Sequence, residues 1–93
     1  WGTDFSAPKG TPIYATGDGK VTTCKRSRSG YGRHIVIDHG FGYQTLYAHM
    51  NEIETRRGQS VKRGDLIGYV GSSGSSTAPH LHYEVIKDGR KIS

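Results

Sequence analysis

Two histidines separated by one residue, His80 and His82, lie in the stretch Ser76-Thr77-Ala78-Pro79-His80-Leu81-His82-Tyr83-Glu84-Val85. Side chains on a strand alternate faces, so Leu81, Tyr83 and Val85 make an apolar set, and His80, His82 and Glu84 share the other face. At a rise of roughly 3.3 Å per residue the two imidazoles stand about 6–7 Å apart and point the same way. One ring can bind a metal while its neighbour reaches a water or substrate oxygen beside it. By itself the spacing also fits two solvated histidines. His49 closes the run Tyr43-Gln44-Thr45-Leu46-Tyr47-Ala48-His49, where alternation puts Tyr43, Thr45, Tyr47 and His49 on one face and Leu46 and Ala48 on the other. Asp4, between Gly2 and Phe5, is either a turn carboxylate or a ligand. His39 sits where a turn calls for a polar residue, and His34 can pair across a sheet.

The elements that must position these residues are short and strand-like. Ile13 to Thr16, the turn Gly17-Asp18-Gly19 and Lys20 to Lys25 read as a β-hairpin. Lys25-Arg26-Ser27-Arg28-Ser29-Gly30 reads as a solvated basic tip. Arg33 to Asp38 carries apolar residues on both faces and reads as a central strand, with His39-Gly40-Phe41-Gly42 turning into Tyr43 to His49. Glu52 to Arg57 reads as a short connection. Val61, Leu66, Ile67 and Val70 are apolar points between turn glycines. Gly71 to Thr77 reads as a Gly/Ser loop entering the histidine strand.

The 93 residues make one domain with a modest core. The 14 glycines and the recurring Val/Ile/Tyr/Thr runs, with no sustained 3.6-residue apolar period, predict an all-β domain. No apolar run is long enough to cross a bilayer, so no transmembrane segment is expected in this chain, and no secretory signal is present. The lone Cys24 reads as a small apolar strand residue and reports no redox compartment. A formal charge of +5 suits anionic partners without choosing among them. No aromatic side chains interleave with the basic run, so nucleic acid is not expected as a partner.

Taken in order, the stretches Gly2 to Pro8, Gly10 to Ala15, Gly17-Asp18-Gly19 with Val21, Tyr31-Gly32, Ile35 to Gly40, Tyr43 to His49, Gly58-Gln59 with Val61, Gly64, Ile67-Gly68, and Ser76 to Val85 resemble the M23 family of zinc metallopeptidases. These are the lysostaphin-like and LytM-like endopeptidases that cut peptidoglycan peptides. The likeness runs along almost the whole chain. That family uses an H-x-G-x-D motif, a histidine ending a Y-A-H strand, and H-x-H. The resemblance implies that Asp4 and His82 are zinc ligands, and that His49 and His80 are catalytic without binding the metal. It also implies an all-β, mostly antiparallel sheet with a substrate groove, forming one M23-like domain over residues 1–93, with the first ligand histidine expected immediately before Trp1.

The implied chemistry suits the residue types. Two histidines and a carboxylate leave zinc a fourth position for water, which the ion acidifies while polarising the scissile carbonyl. His49 would orient or deprotonate that water, and His80 would stabilise the oxyanion or protonate the leaving amine. Glu84 is either an outer partner of His82 or a surface carboxylate. The expected substrate is a peptidoglycan stem peptide or cross-bridge, met outside the cytoplasm (periplasm, cell envelope or secreted), in a groove lined by Tyr43 and Tyr47. An upstream region would govern targeting or access. The alternative is a metal-free relative that binds peptidoglycan or regulates another wall hydrolase; the presence of all four candidate residues argues against it. Gly58 to Val70 also resembles a hairpin of biotinyl or lipoyl carriers. The chain has no Met-Lys-Met or Asp-Lys-Ala tip, which excludes that role.

Overall fold

The computed structural model describes residues 2–74 and 78–92. Nine strands follow in order: β1 (Thr3–Ser6), β2 (Pro12–Tyr14), β3 (Gly19–Arg26), β4 (Arg33–Gly40), β5 (Tyr43–Ile53), β6 (Ser60–Val61), β7 (Leu66–Val70), β8 (His80–Lys87) and β9 (Arg90–Lys91). Every pairing is antiparallel. The main path runs β1-β8-β5-β4-β3-β6, with β7 joined to both β5 and β2, and β9 to β8. The expected all-β antiparallel sheet is therefore the observed one, and no described helix is long and apolar enough to cross a membrane.

The core follows from alternation along the central strands. Ile35 and Ile37 of β4 and Tyr47 of β5 point to one face, where they pack with Ile13, Val21, Met50, Val61, Ile67 and Val70. The opposite face carries the row Asp4, His82, Ala48, fixed by the registers Asp4↔His82 and Ala48↔His82. Leu81 and Tyr83 pack against the core from the other side of β8, as the alternation predicts.

Three expectations are corrected. Ile13 to Thr16 and Lys20 to Lys25 do not form a hairpin: β2 pairs with β7, while β3 pairs with β4 and β6. The Gly17–Gly19 turn instead carries the chain from β2 to β3, pinned where the Asp18 carboxylate accepts the Arg63 amide at 2.8 Å. Second, β5 does not stop at His49. It continues to Ile53, pairing with β8 over Tyr43 to Ala48 and with β7 from Met50 onward. Third, Leu66 is 39% exposed and lies outside the core. The predicted strand-leading residues Ser76 and Thr77 lie outside the described residues, as does Trp1.

Candidate metal centre

Asp4 and His82 meet because β1 and β8 pair in a register that sets them directly opposite each other. His82 Nδ1 lies 2.8 Å from Asp4 Oδ1. His80 Nε2 is 3.6 Å from the same oxygen, so the H-x-H face is shared as the spacing predicts. The hydrogen bond from His82 holds the Asp4 carboxyl below its ordinary value, and burial opposes this only weakly. A glycine at position 2 is a steric requirement of this corner. Its φ is +106°, and a Cβ there would lie 2.8 Å from His82 Cε1, 2.8 Å from the Tyr83 carbonyl oxygen and 2.9 Å from Glu84 Cγ.

His49 arrives by a route the alternation does not anticipate. Between the pairs Ile35↔Tyr47 and Arg33↔Met50, β5 has two residues where β4 has one. The extra residue makes a bulge, and His49 takes φ 60° in the left-handed region. Tyr47 therefore stays in the core while His49 swings to the face of the histidine pair. Its ring centroid is 5.0 Å from that of His80 and 6.1 Å from that of His82. His49 Nδ1 donates to the Ser73 carbonyl at 2.7 Å, which fixes the tautomer and leaves the Nε2 lone pair for chemistry. His80 Nδ1 likewise donates to the Ala78 carbonyl at 2.9 Å. The expected groove wall of Tyr43 and Tyr47 is not found. Tyr47 is 1% exposed, and its hydroxyl is bonded to Thr16 and Thr45 on the core side. Tyr43 shares that face of β5.

His34 and His39 have structural partners. His34 Nδ1 bonds the Gly32 carbonyl, and His39 links the Asp18 carbonyl to the Thr45 hydroxyl. Glu84 is not the surface carboxylate that sequence alone allows: its side chain is 2% exposed, and Oε2 accepts from His82 Nε2 at 2.8 Å. Burial pushes its carboxyl up, but hydrogen bonds from Tyr31 and His82, with Lys91 nearby, prevail and leave it lowered. Tyr31 stacks on the His82 ring, with centroids 5.8 Å apart and planes 24° from parallel. Its hydroxyl donates to Glu84 Oε2 at 2.7 Å and accepts from Lys91 Nζ at 3.1 Å. Burial and the Glu84 carboxylate raise the Tyr31 phenol, while the Tyr31 hydroxyl and Glu84 raise the Lys91 ammonium. In the sequence, Tyr31 stands out only in the Tyr31-Gly32 stretch that carries the family resemblance, with no role attached. Its separation from Glu84 by 53 positions leaves no local pattern to find.

The donor chemistry suits a divalent cation. Carboxylate oxygens only accept, so the two close contacts of the His82 ring require a proton on each nitrogen or a cation in place of the Nδ1 proton. Asp4 and His82 supply the oxygen and nitrogen donors that zinc prefers. Glu84 Oε1 is buried with no hydrogen-bond partner, which keeps negative charge behind the ring. Among the described residues no group of three or more His, Cys, Asp or Glu side chains forms a ligand set.

The model of peptidase family M23 matches residues 1–93. The chain is 47% identical over 92 residues to the peptidoglycan DD-endopeptidase ShyA of Vibrio cholerae, and 46% identical to the DD-carboxypeptidase/endopeptidase Mpg of Neisseria meningitidis. Each match takes in 99% of this chain but 21% of the relative, so the chain spans about a fifth of their length. Among solved structures, a zinc-containing peptidase from Vibrio cholerae superposes with a TM-score of 0.94 at 44% identity, covering 98% of this chain and 28% of that one. The catalytic domain of lysostaphin from Staphylococcus simulans superposes with a TM-score of 0.91 at 33% identity, covering 100% of this chain and 74% of that one. Family model, relatives and fold agree along the whole sequence: the chain belongs to peptidase family M23.

Proposed function

We propose that this chain is the peptidase domain of a zinc-dependent endopeptidase that hydrolyses peptide bonds in peptidoglycan stem peptides or cross-bridges outside the cytoplasm. The observation that carries the reading is the convergence of Asp4 and His82 at 2.8 Å, with the His49 and His80 rings beside them, in an M23 chain. In this reading Asp4 and His82 are two ligands, and a histidine expected immediately before Trp1 is the third. When bound, zinc supplies Lewis acidity that polarises the scissile carbonyl and acidifies water.

The chain's own groups do the rest. His49, with its Nδ1 proton tied to Ser73, offers Nε2 to take a proton from the attacking water. His80, anchored through Nδ1 to Ala78, presents Nε2 beside the pair, where it stabilises the oxyanion or passes a proton on to the leaving amine. Asp4 is 65% exposed, which leaves the site open for an extended peptide to lie across. Because the relatives are about five times longer than this chain, other parts of the whole protein are proposed to govern targeting or access.

The test is elemental analysis of the whole protein, joined to mass spectrometry of cross-linked sacculi after digestion. The expected result is about one zinc per chain and release of uncross-linked muropeptides that stops with a chelator. His82→Ala loses both zinc and turnover. His49→Ala keeps zinc and loses about 10²–10⁴-fold in kcat, the usual worth of a positioned acid–base group. Near-normal turnover in His49→Ala overturns its assignment. A whole protein that takes up no zinc when it is offered is instead a wall-binding module.

A further inference from the structure

Glu84 is an anomaly in the sheet. Its carboxylate is 2% exposed in the middle of β8, opposite the apolar Leu46, and a buried charge is costly unless it is paired and hydrogen-bonded. Nothing in core packing calls for it. Its partners come from three separate elements: His82 two residues along the same strand, Tyr31 from the β3–β4 loop, and Lys91 from β9, whose Nζ lies 3.6 Å from Oε1. Tyr31 touches the same histidine twice, through its stacked ring and through Glu84.

We propose that Glu84 and Tyr31 are positioning residues that lock the His82 imidazole, with Lys91 balancing the buried charge; this rests on reading His82 as a ligand. Glu84 Oε2 holds a proton on Nε2, so the opposite nitrogen, Nδ1, is the one turned toward Asp4. The Tyr31 ring closes one face of the imidazole against rotation, while the corner at Gly2 leaves no room for a side chain beside Cε1. The Tyr31 hydroxyl and Lys91 in turn fix the carboxylate that does the holding. The ring is thus oriented by groups that do not touch substrate, and the β3–β4 loop and β9 help to set the metal affinity.

The experiment uses the whole protein in two readouts. Zinc dissociation constants are measured by competition with a chromogenic chelator, and the His82 ring nitrogens are read by NMR of ¹⁵N-histidine-labelled protein, assigned with His82→Gln. In Glu84→Ala the zinc dissociation constant rises about 10–100-fold, the usual effect of losing an outer partner of a ligand histidine. In the metal-free variant the Nε2 proton signal of His82 also gives way to a mixture of tautomers. Glu84→Gln, which keeps an acceptor oxygen, recovers part of both. Tyr31→Phe keeps the stack but loses its hold on Glu84, and shows a smaller loss.

Wild-type zinc affinity and an unchanged His82 spectrum in folded Glu84→Ala and Tyr31→Phe overturn the proposal. If Glu84→Ala does not fold, Glu84→Gln and Tyr31→Phe decide in the same way. If the whole protein takes no zinc, the ring spectrum still decides. A change in the variants upholds the lock while the zinc reading falls, and no change overturns the lock itself.

Discussion

At His49 the backbone enters a region that costs an L-residue about 1–2 kcal/mol. The strain is local to the ring that must turn to meet His80 and His82. Nothing in the residue types marks this bulge, which is why simple alternation puts His49 on the Tyr47 face. The shared face of His80 and His82 was legible because a two-residue spacing survives on any regular strand, whereas Asp4, 78 positions from His82, was singled out only by the family resemblance. The face of Glu84 was legible for the same reason; its burial was not, because that depends on Tyr31 and Lys91, which are remote in sequence. The corner at Gly2 gives a direct test at this scale. Gly2→Ala forces a Cβ into the His82 ring and the Tyr83 carbonyl at a left-handed φ. It is expected to lose about 1–3 kcal/mol of stability, as overpacking does, and to weaken zinc binding in parallel. Urea unfolding and zinc titration check this, and an unaltered pair of curves contradicts it.

Strand identity was more legible than strand partnership. The β4–β5 hairpin could be read because its apolar runs flank a short turn, whereas β2 and β3 look equally hairpin-like and pair elsewhere. Which edge a short strand chooses is set by packing of Ile13 and Ala15 into the core, and no local signal encodes that. The loop after β7 illustrates a second kind of hidden information. The Ser73 hydroxyl donates to the Met50 carbonyl at 2.7 Å and accepts the Arg33 amide at 3.0 Å, while the Ser73 carbonyl holds His49. One serine therefore fastens the loop to β4 and β5 at the point where β5 changes partners. The backbones are pressed so closely there that a Cβ at Gly32 would lie 2.4 Å from the Gly74 amide nitrogen. Ser73→Ala removes two hydrogen bonds of about 1 kcal/mol each. The expected variant is folded and retains zinc but turns over more slowly, because the loop that carries the Ser73 carbonyl to His49 has lost its side-chain anchor. Unchanged kcat in that variant refutes the latch.

Across the whole molecule, the core face is tied by hydroxyls as well as by apolar contact. Tyr83 is held by Thr16, and its phenol is raised chiefly by burial, with Tyr47 adding to the effect and the Thr16 bond opposing it. A raised phenol keeps its proton in the folded state at pH values where the unfolded chain has lost it, so stability is full below about pH 10 and falls as pH rises beyond that. Denaturation midpoints measured at pH 8 and above pH 10 are expected to show this decline, and Tyr83→Phe to flatten it; an equally steep decline in the variant assigns it to other groups.

The contact between Asp4 and His82 joins positions 78 residues apart, and β1, exposed at all four residues, has β8 as its paired neighbour in the sheet. In a folding chain such a long-range closure has little to recommend it entropically until β8 is already in place. On the proposed reading, a cation held by Asp4 and His82 would act as a clasp across the two strands, tightened last and opened first. Stripping it is expected to let β1 amides exchange with solvent while those of β4 and β5 stay protected, so that loss of metal begins as the lifting of a single border strand.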